Sequence, residues 1–297
     1  MHHRFRFLIF GFLISFLTII LLYYFSKNDS TIQGGFTRNY LSRALVKKTI
    51  YPFLYTNYYL AGVTTNKVYL GHTKRPDGLL ALDINRGDTT YHPIVTTASI
   101  PTDSHILIDS PNFYIQQQRI TTILSGKFHS TAIDTLLYGV FFVDAVVAGQ
   151  GTLVFRTLTS NTDEFVLASL KDSIVLYPSL LEKQLDGKFC TDGLLRVNPT
   201  RDCILYTYYY RNEFICLDTA MNLHYRGNTI DTISQAQITI ASIPSSQSIT
   251  LSSPPRIVNK NLQVGANHFY VHSMVIADNE VKENQRSYSS IDAYHLR

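Results

Sequence analysis

The chain predicts an all-β fold: a propeller-like repeat of about five blades, with room for an incomplete sixth, preceded by one transmembrane helix. Three observations predict it. The composition suits pleated, half-buried surface, with 20 Tyr and 17 Phe beside many Ile, Val and Thr. Beyond position 50 the chain breaks into short apolar runs separated by Asn, Asp, Gly, Pro and Ser, with no sustained 3.6-residue period. A pair of such runs then recurs five times.

The repeat lays out as follows. Leading strands are read at "KVYLG" from Lys67, "NFYIQ" from Asn112, "TLVFR" from Thr152, "CILYTY" from Cys203 and "HFYVHS" from His268. Their partners are read at "LLALD" from Leu79, "ITTIL" from Ile120, "FVLAS" from Phe165, "FICLD" from Phe214 and "SSIDAY" from Ser289. The spacing of the leading strands falls near one propeller blade of about 40–50 residues, with insertions late in the chain. "CILYTYYYRNEFICLD" (203–218) explains why a propeller is preferred to a sandwich. With Arg211 and Asn212 as its turn, both faces of the hairpin are apolar. A sandwich sheet shows one wet face, whereas a blade lies between two neighbours.

The other strong signal is N-terminal. Residues 7–25, "FLIFGFLISFLTIILLYYF", carry no charge, and about 20 apolar residues in a helix span a hydrocarbon core of ~30 Å. No small-x-small cleavage site follows, so the run reads as an uncleaved signal-anchor. Arg4 and Arg6 before it favour a cytoplasmic N-terminus. The expected organisation is a cytoplasmic tip at 1–6, an anchor at 7–25, a polar spacer at 26–50 and the propeller-like domain at 51–297. That makes the lipid bilayer one partner and puts the main domain on the exported side. The fifth unit stops after its second strand. We read this as a chain cut short of a last blade, the other reading being closure by a strand around 58–62.

Charge and cysteine usage exclude further classes. Net charge is +4 and charged residues make up 16%. No basic run exists beyond Lys47–Lys48, so no nucleic-acid partner is expected. Three cysteines, Cys190, Cys203 and Cys216, make no disulfide framework. In the hairpin register above, Cys216 faces Thr207 and Cys203 lies roughly 13 Å further along. Free thiols are expected.

Chemistry-bearing residues are sparse. Tyr210, Arg211, Asn212 and Glu213 put opposite charges at a hairpin tip, a place that reads first as a solvated turn and is the binding candidate if the loops bind. Asp83, Asp218 and Asp292 fall within or at the end of partner strands, where propeller hydrolases gather hard oxygen ligands for Ca²⁺. Asp at strand ends also caps turns. "NTID" (228–231) reads as a loop tie. His268 and His272 are too far apart along a strand to share a metal. No H-E-x-x-H, G-x-S-x-G, P-loop or C-x-x-C pattern occurs.

In order along the chain, "YYLAGVTTNKVYLGH" (58–72), "LDGKFCTDGLLRV" (185–197), "YYYRNEFICLDTAMNL" (208–223), "GNTIDTI" (227–233), "PPRIVN" (254–259) and "SSIDAYHL" (289–296) resemble an uncharacterised family of Bacteroidota membrane-anchored proteins. The resemblance implies a six-bladed, TolB-like or NHL-like β-propeller behind one membrane segment, a place in a bacterial inner membrane with the main domain in the periplasm, and no established activity. In such relatives a further blade follows the "IDAY" strand. The leading expectation is a binding or scaffold module for an envelope protein or small ligand, with no cofactor. The alternatives are a Ca²⁺-dependent, lactonase-like hydrolase and a non-functional truncated product.

Overall fold

The structure is a computed structural model that describes residues 2–27, 35–41, 51–53, 56–95, 100–160, 162–198, 200, 202–245, 248–280 and 289–296. It is an all-β propeller of five blades behind one helix. Each blade is an antiparallel meander whose strands run outward from the axis in chain order. Blade 1 comprises β1 (Tyr58–Val63), β2 (Lys67–His72), β3 (Gly78–Asp83) and β4 (Thr89–Pro93). Blade 2 comprises β5 (His105–Asp109), β6 (Asn112–Gln117), β7 (Thr122–Lys127) and β8 (Ile133–Tyr138). Blade 3 comprises β9 (Phe142–Val147), β10 (Leu153–Leu158), β11 (Phe165–Leu170) and β12 (Ile174–Tyr177). Blade 4 comprises β13 (Gly193–Val197), β14 (Ile204–Tyr208), β15 (Glu213–Leu217) and β16 (Leu223–Asn228).

A separate hairpin, β17 (Ile240–Ile243) with β18 (Ser248–Leu251), then precedes blade 5, and this insertion accounts for the long last spacing. Blade 5 has three described strands, β19 (Asn259–Val264), β20 (His268–Ser273) and β21 (Ser290–His295). The innermost strands neighbour one another in the order β1, β5, β9, β13, β19, which makes the arrangement radial.

The ten strands read from the repeats are the second and third strands of the five blades, the pairs with most apolar side chains. One begins late: Ile120 closes a 3₁₀ turn, Thr121 adopts a left-handed φ of 52°, and β7 starts at Thr122. Among the described residues there are five blades, against the six that the resemblance implies. No closing strand is found at 58–62, because β1 belongs to blade 1's own sheet.

Radial packing supplies the core. Blade 3 meets blade 4 through Val154, Leu167, Leu195, Tyr206, Tyr208 and Ile215. Blade 4 meets blade 5 through Leu194, Leu205, Phe214, Leu262, Phe269 and Val271. Both faces of β14 and β15 are therefore covered, as their sequence requires. Burial of each such side chain removes about 1.5–3 kcal/mol worth of apolar surface from water. Gly193 is required where it stands: a Cβ there would meet the Thr207 carbonyl oxygen at 2.4 Å and the Tyr206 ring at 2.7 Å. The ring crosses over β13, and its hydroxyl donates to the Thr191 carbonyl at 2.5 Å.

Helix α1 (His2–Lys27) contains the whole uncharged run. Its described side chains, at 10–22, are all exposed; they cover about 20 Å of helix. Among the described residues no helix is long and apolar enough to cross a membrane. Part of the expected spacer is docked on the propeller. Phe36 packs with Ile233, Val258 and Val275. Arg38 is buried, with its Nε donating to Asp292 Oδ1 at 2.6 Å, Nη2 to Asp292 Oδ2 at 2.9 Å and Nη1 to Glu280 Oε2 at 2.5 Å. The rest of the spacer, at 28–34 and 42–50, lies outside the described residues.

Candidate functional site

The expected binding residues are built into the fold rather than held out to solvent. The turn between β14 and β15 is four residues, 209–212, so the ladder pairs Thr207 with Phe214 and Leu205 with Cys216. This is two residues from the expected register. Because side chains alternate with period two, the faces are unchanged while every pairing shifts.

Three distant segments close over the turn. Asn259 Nδ2 donates to the carbonyls of Tyr208 and Arg211, both at 2.9 Å, and Val258 N donates to the Tyr209 carbonyl at 2.7 Å. Asn212 N donates to the Ile233 carbonyl at 2.8 Å, and its Nδ2 donates to the Asp231 carbonyl at 2.5 Å. The third segment is reached by Arg211, which is 0% exposed. Its Nη1 donates to the Cys190 carbonyl and Nη2 to the Glu182 carbonyl, both at 2.9 Å, while Nε pairs with Glu213 Oε2 at 2.8 Å. The guanidinium lies 3.5 Å from the centre of the Tyr208 ring. Glu213 also takes Arg226 at 2.9 Å.

Tyr210, Arg211 and Asn212 are thus buried and Glu213 nearly so, which corrects the reading of a solvated tip. Burial pushes the Tyr210 hydroxyl up to about 12. The Asn228–Asp231 tie is structural as expected: Thr229 Oγ1 donates to Asp231 Oδ2 at 2.6 Å, and Ile233 N donates to Oδ1 at 3.0 Å. Burial raises the Asp231 pKa, against those hydrogen bonds.

The three aspartates of the Ca²⁺ alternative are not brought together. Asp83 caps a turn by accepting from the backbone N–H groups of Asn85 and Arg86 at 3.0 Å. Asp218 likewise accepts from Ala220 N and Asn222 N, at 2.9 and 2.8 Å. Asp292 pairs with Arg38 on blade 5. The three stand on blades 1, 4 and 5, and among the described residues no three His, Cys, Asp or Glu side chains group as metal ligands.

A cluster that sequence reading missed lies where β9, the start of β13 and the β14–β15 turn meet. Asp144 is a bulge residue of β9: pairing passes from Ala145 to Val143 around it, and its φ is +50°. A bulge re-aims a side chain, and this one points the carboxylate at blade 4. There it accepts from Leu195 N at 3.1 Å and from Arg196 Nη1 at 3.0 Å. Beside it, Asp192 Oδ1 pairs with the buried Arg156 at 2.6 Å. Burial opposes the Arg156 charge, and Tyr206 and Asp192 more than offset it, so its pKa is raised. Tyr209 N donates to the Asp192 carbonyl at 2.9 Å. Burial, then the Asp192 and Asp144 charges, raise the Tyr209 hydroxyl. Asp144, Asp192, Arg196 and Tyr209 all stay partly exposed. No catalytic pattern marks them; the packing of blade 3 on blade 4 brings Asp144 to the other three.

No family model and no curated protein matches this chain. Solved propeller structures resemble its fold. A member of the DUF4221 family from Bacteroides vulgatus is 12% identical, with 83% of this chain and 81% of that one covered and a TM-score of 0.48. A putative exported protein from Bacteroides fragilis is 11% identical, covering 84% and 71%, with a TM-score of 0.47. A streptogramin B lyase is 11% identical, covering 81% and 83%, with a TM-score of 0.42.

Proposed function

We propose that the chain is a binding or scaffold module at a bacterial envelope, with residues 7–25 holding it in the membrane and the propeller on the periplasmic side. The observation that carries the binding reading is the partly exposed cluster of Asp144, Asp192, Arg196 and Tyr209 at the seam of blades 3 and 4, an otherwise apolar pair. Two carboxylates, a guanidinium and a phenol there suit a polar partner, either an extended protein segment or a small molecule. Tyr210, Arg211, Asn212 and Glu213 support this site from behind rather than touching the partner.

A photo-reactive residue at position 209 tests the site in living cells. A discrete cross-linked product that disappears with Arg196→Ala is expected, and no product from positions 144, 192, 196 or 209 sinks the reading. The anchor is supported by the uncharged run and by the exposure of every described side chain on α1. Carbonate-washed membranes should retain the full chain, and Leu13→Arg with Leu17→Arg should release it, at about 2.5–3.5 kcal/mol per arginine at the bilayer centre. A wild-type chain that washes off has no such anchor.

A further inference from the structure

The register of blade 4 brings two thiols together. Cys216 pairs with Leu205, so Cys203, one residue ahead of β14, is its diagonal neighbour on the same face. The two Sγ atoms are 2.8 Å apart. Both face blade 5, among Leu205, Phe214 and Phe269. Cys203 is partly exposed and Cys216 is buried. The third thiol is placed elsewhere: Cys190 is buried and its Sγ donates to the Asp186 carbonyl at 2.5 Å.

Diagonal cross-strand Cα atoms are roughly 7–8 Å apart, beyond the roughly 4.4–6.8 Å that a disulfide usually spans. Bond closure therefore requires a small inward shift of the chain at Cys203. This residue precedes β14 and is held by Asn198, whose N donates to the Cys203 carbonyl and whose Oδ1 accepts from Cys203 N, both at 3.1 Å, so the shift carries Asn198 with it.

We propose that Cys203 and Cys216 form a reversible disulfide that staples the second strand of blade 4 to the third, made by exchange with a small-molecule disulfide. The accessible Cys203 sulfur attacks one sulfur of R–S–S–R as its thiolate. An S–S bond to R forms, the R–S–S–R bond breaks, and one RS⁻ leaves with the proton that Cys203 lost. The Cys216 thiolate then attacks Cys203 Sγ, closes the protein disulfide and expels the second RS⁻, which takes up the Cys216 proton. Two electrons pass from the protein thiols to the small disulfide, which leaves as two RSH. Their hydrogen bond raises the Cys203 pKa and lowers that of Cys216, so Cys216 suits the resolving step, while Cys203 makes the first attack through its exposure, from a minor thiolate population.

The closed loop would hold the 209–212 turn. Oxidation would therefore stabilise the buried Arg211 web that supports the cluster at the seam of blades 3 and 4, chiefly by restricting the unfolded chain.

Trypsin places the three cysteines on separate peptides, 189–196, 202–211 and 212–226, so the pairing can be read by mass spectrometry without reduction. The full chain, reduced in detergent and then treated with oxidised glutathione, should lose the mass of two hydrogen atoms. It should yield 202–211 linked to 212–226 and keep Cys190 alkylatable after denaturation. Its melting temperature should rise, and dithiothreitol should reverse the rise. Cys203→Ser should abolish both changes. Three alkylatable thiols after oxidation, a link through Cys190, a link between chains, or an unchanged response in Cys203→Ser would each overturn the proposal.

Discussion

Blades 1 and 4 are built from the same antiparallel meander, yet they differ in what covers them. In blade 4, Tyr206, Tyr208 and Ile215 face blade 3, and Leu205, Phe214 and Cys216 face blade 5. In blade 1, Ala61, Tyr69, Leu79 and Ala81 face Ile106 and Ile108 of blade 2. Its other face carries Tyr58, Leu60, Leu70, Leu80 and Tyr91, with Leu60 47% and Tyr91 52% exposed. Tyr58, Leu70, His72, Arg75, Gly78, Leu80 and Tyr91 line a groove of about 230 Å³ there. The strands "KVYLG" and "LLALD" are as apolar on both faces as "CILYT" and "FICLD". The lesson is that a two-faced apolar strand states that neighbours belong on both sides, while only the assembled ring decides which sides have one.

Mutations at matched positions test this difference. The largest effect is expected in blade 4. Arg211→Ala removes the donors from the Cys190 and Glu182 carbonyls and leaves Glu213 without one partner, a loss of about 3–5 kcal/mol by denaturant unfolding. Arg211→Lys should recover little, because a lysine cannot reproduce the fork. A loss below about 1 kcal/mol would show that the tip is open after all.

Next comes Tyr208→Ala, about 3–4 kcal/mol for a fully buried ring. Arg38→Ala extends the comparison to blade 5, where it leaves Asp292 and Glu280 without their cation, a loss of about 3 kcal/mol. This clasp also sets a pH dependence. Burial opposes the Glu280 charge, but hydrogen bonds from Ala277 N, Ser290 and Arg38, with the Arg38 charge, prevail and lower its pKa. A lowered carboxylate contributes stability above its unfolded pKa and loses it as pH falls through the folded value. The wild-type chain should therefore lose stability below about pH 4.5 more steeply than Arg38→Ala. Parallel curves would remove the clasp from the account.

Asp231→Asn tests the opposite sign. A carboxylate raised by burial stabilises the folded state only when protonated, so stability falls as pH rises through its titration. Asn should be neutral or favourable by up to about 1 kcal/mol at pH 7, and this advantage should vanish in acid. The smallest effect belongs to the open face: Leu60→Ala should stay within about 0.5 kcal/mol. A loss of 2 kcal/mol or more would mean that something covers blade 1 in solution.

Much of this fold was legible from the chain. The second and third strands of all five blades were readable because apolar residues fill both their faces. The fourth strands were not, since "TTYHP" and "LHYRGN" look like loop when half their side chains are wet. The innermost strands were equally hard to see, because polar residues such as Asp144 and Arg196 interrupt their apolar pattern. The turn after Tyr208 was misjudged by two residues, and that slip put Cys203 and Cys216 roughly 13 Å apart instead of side by side. Local pattern suggested a two-residue turn, but contacts from Asp231, Ile233, Val258 and Asn259 hold a four-residue one. The burial of Arg211 was invisible for the same reason, as its acceptors at Glu182 and Cys190 come from the preceding connection.

The docking of Arg38 has a consequence for biosynthesis. The arginine leaves the ribosome early, and its carboxylate partner Asp292 follows 254 residues later. Ile233, Val258 and Val275 can receive Phe36 earlier, but Arg38 lacks its bidentate carboxylate until that strand emerges. The Arg38 clasp is therefore a late contact of folding, because its two partners are separated by almost the whole described chain.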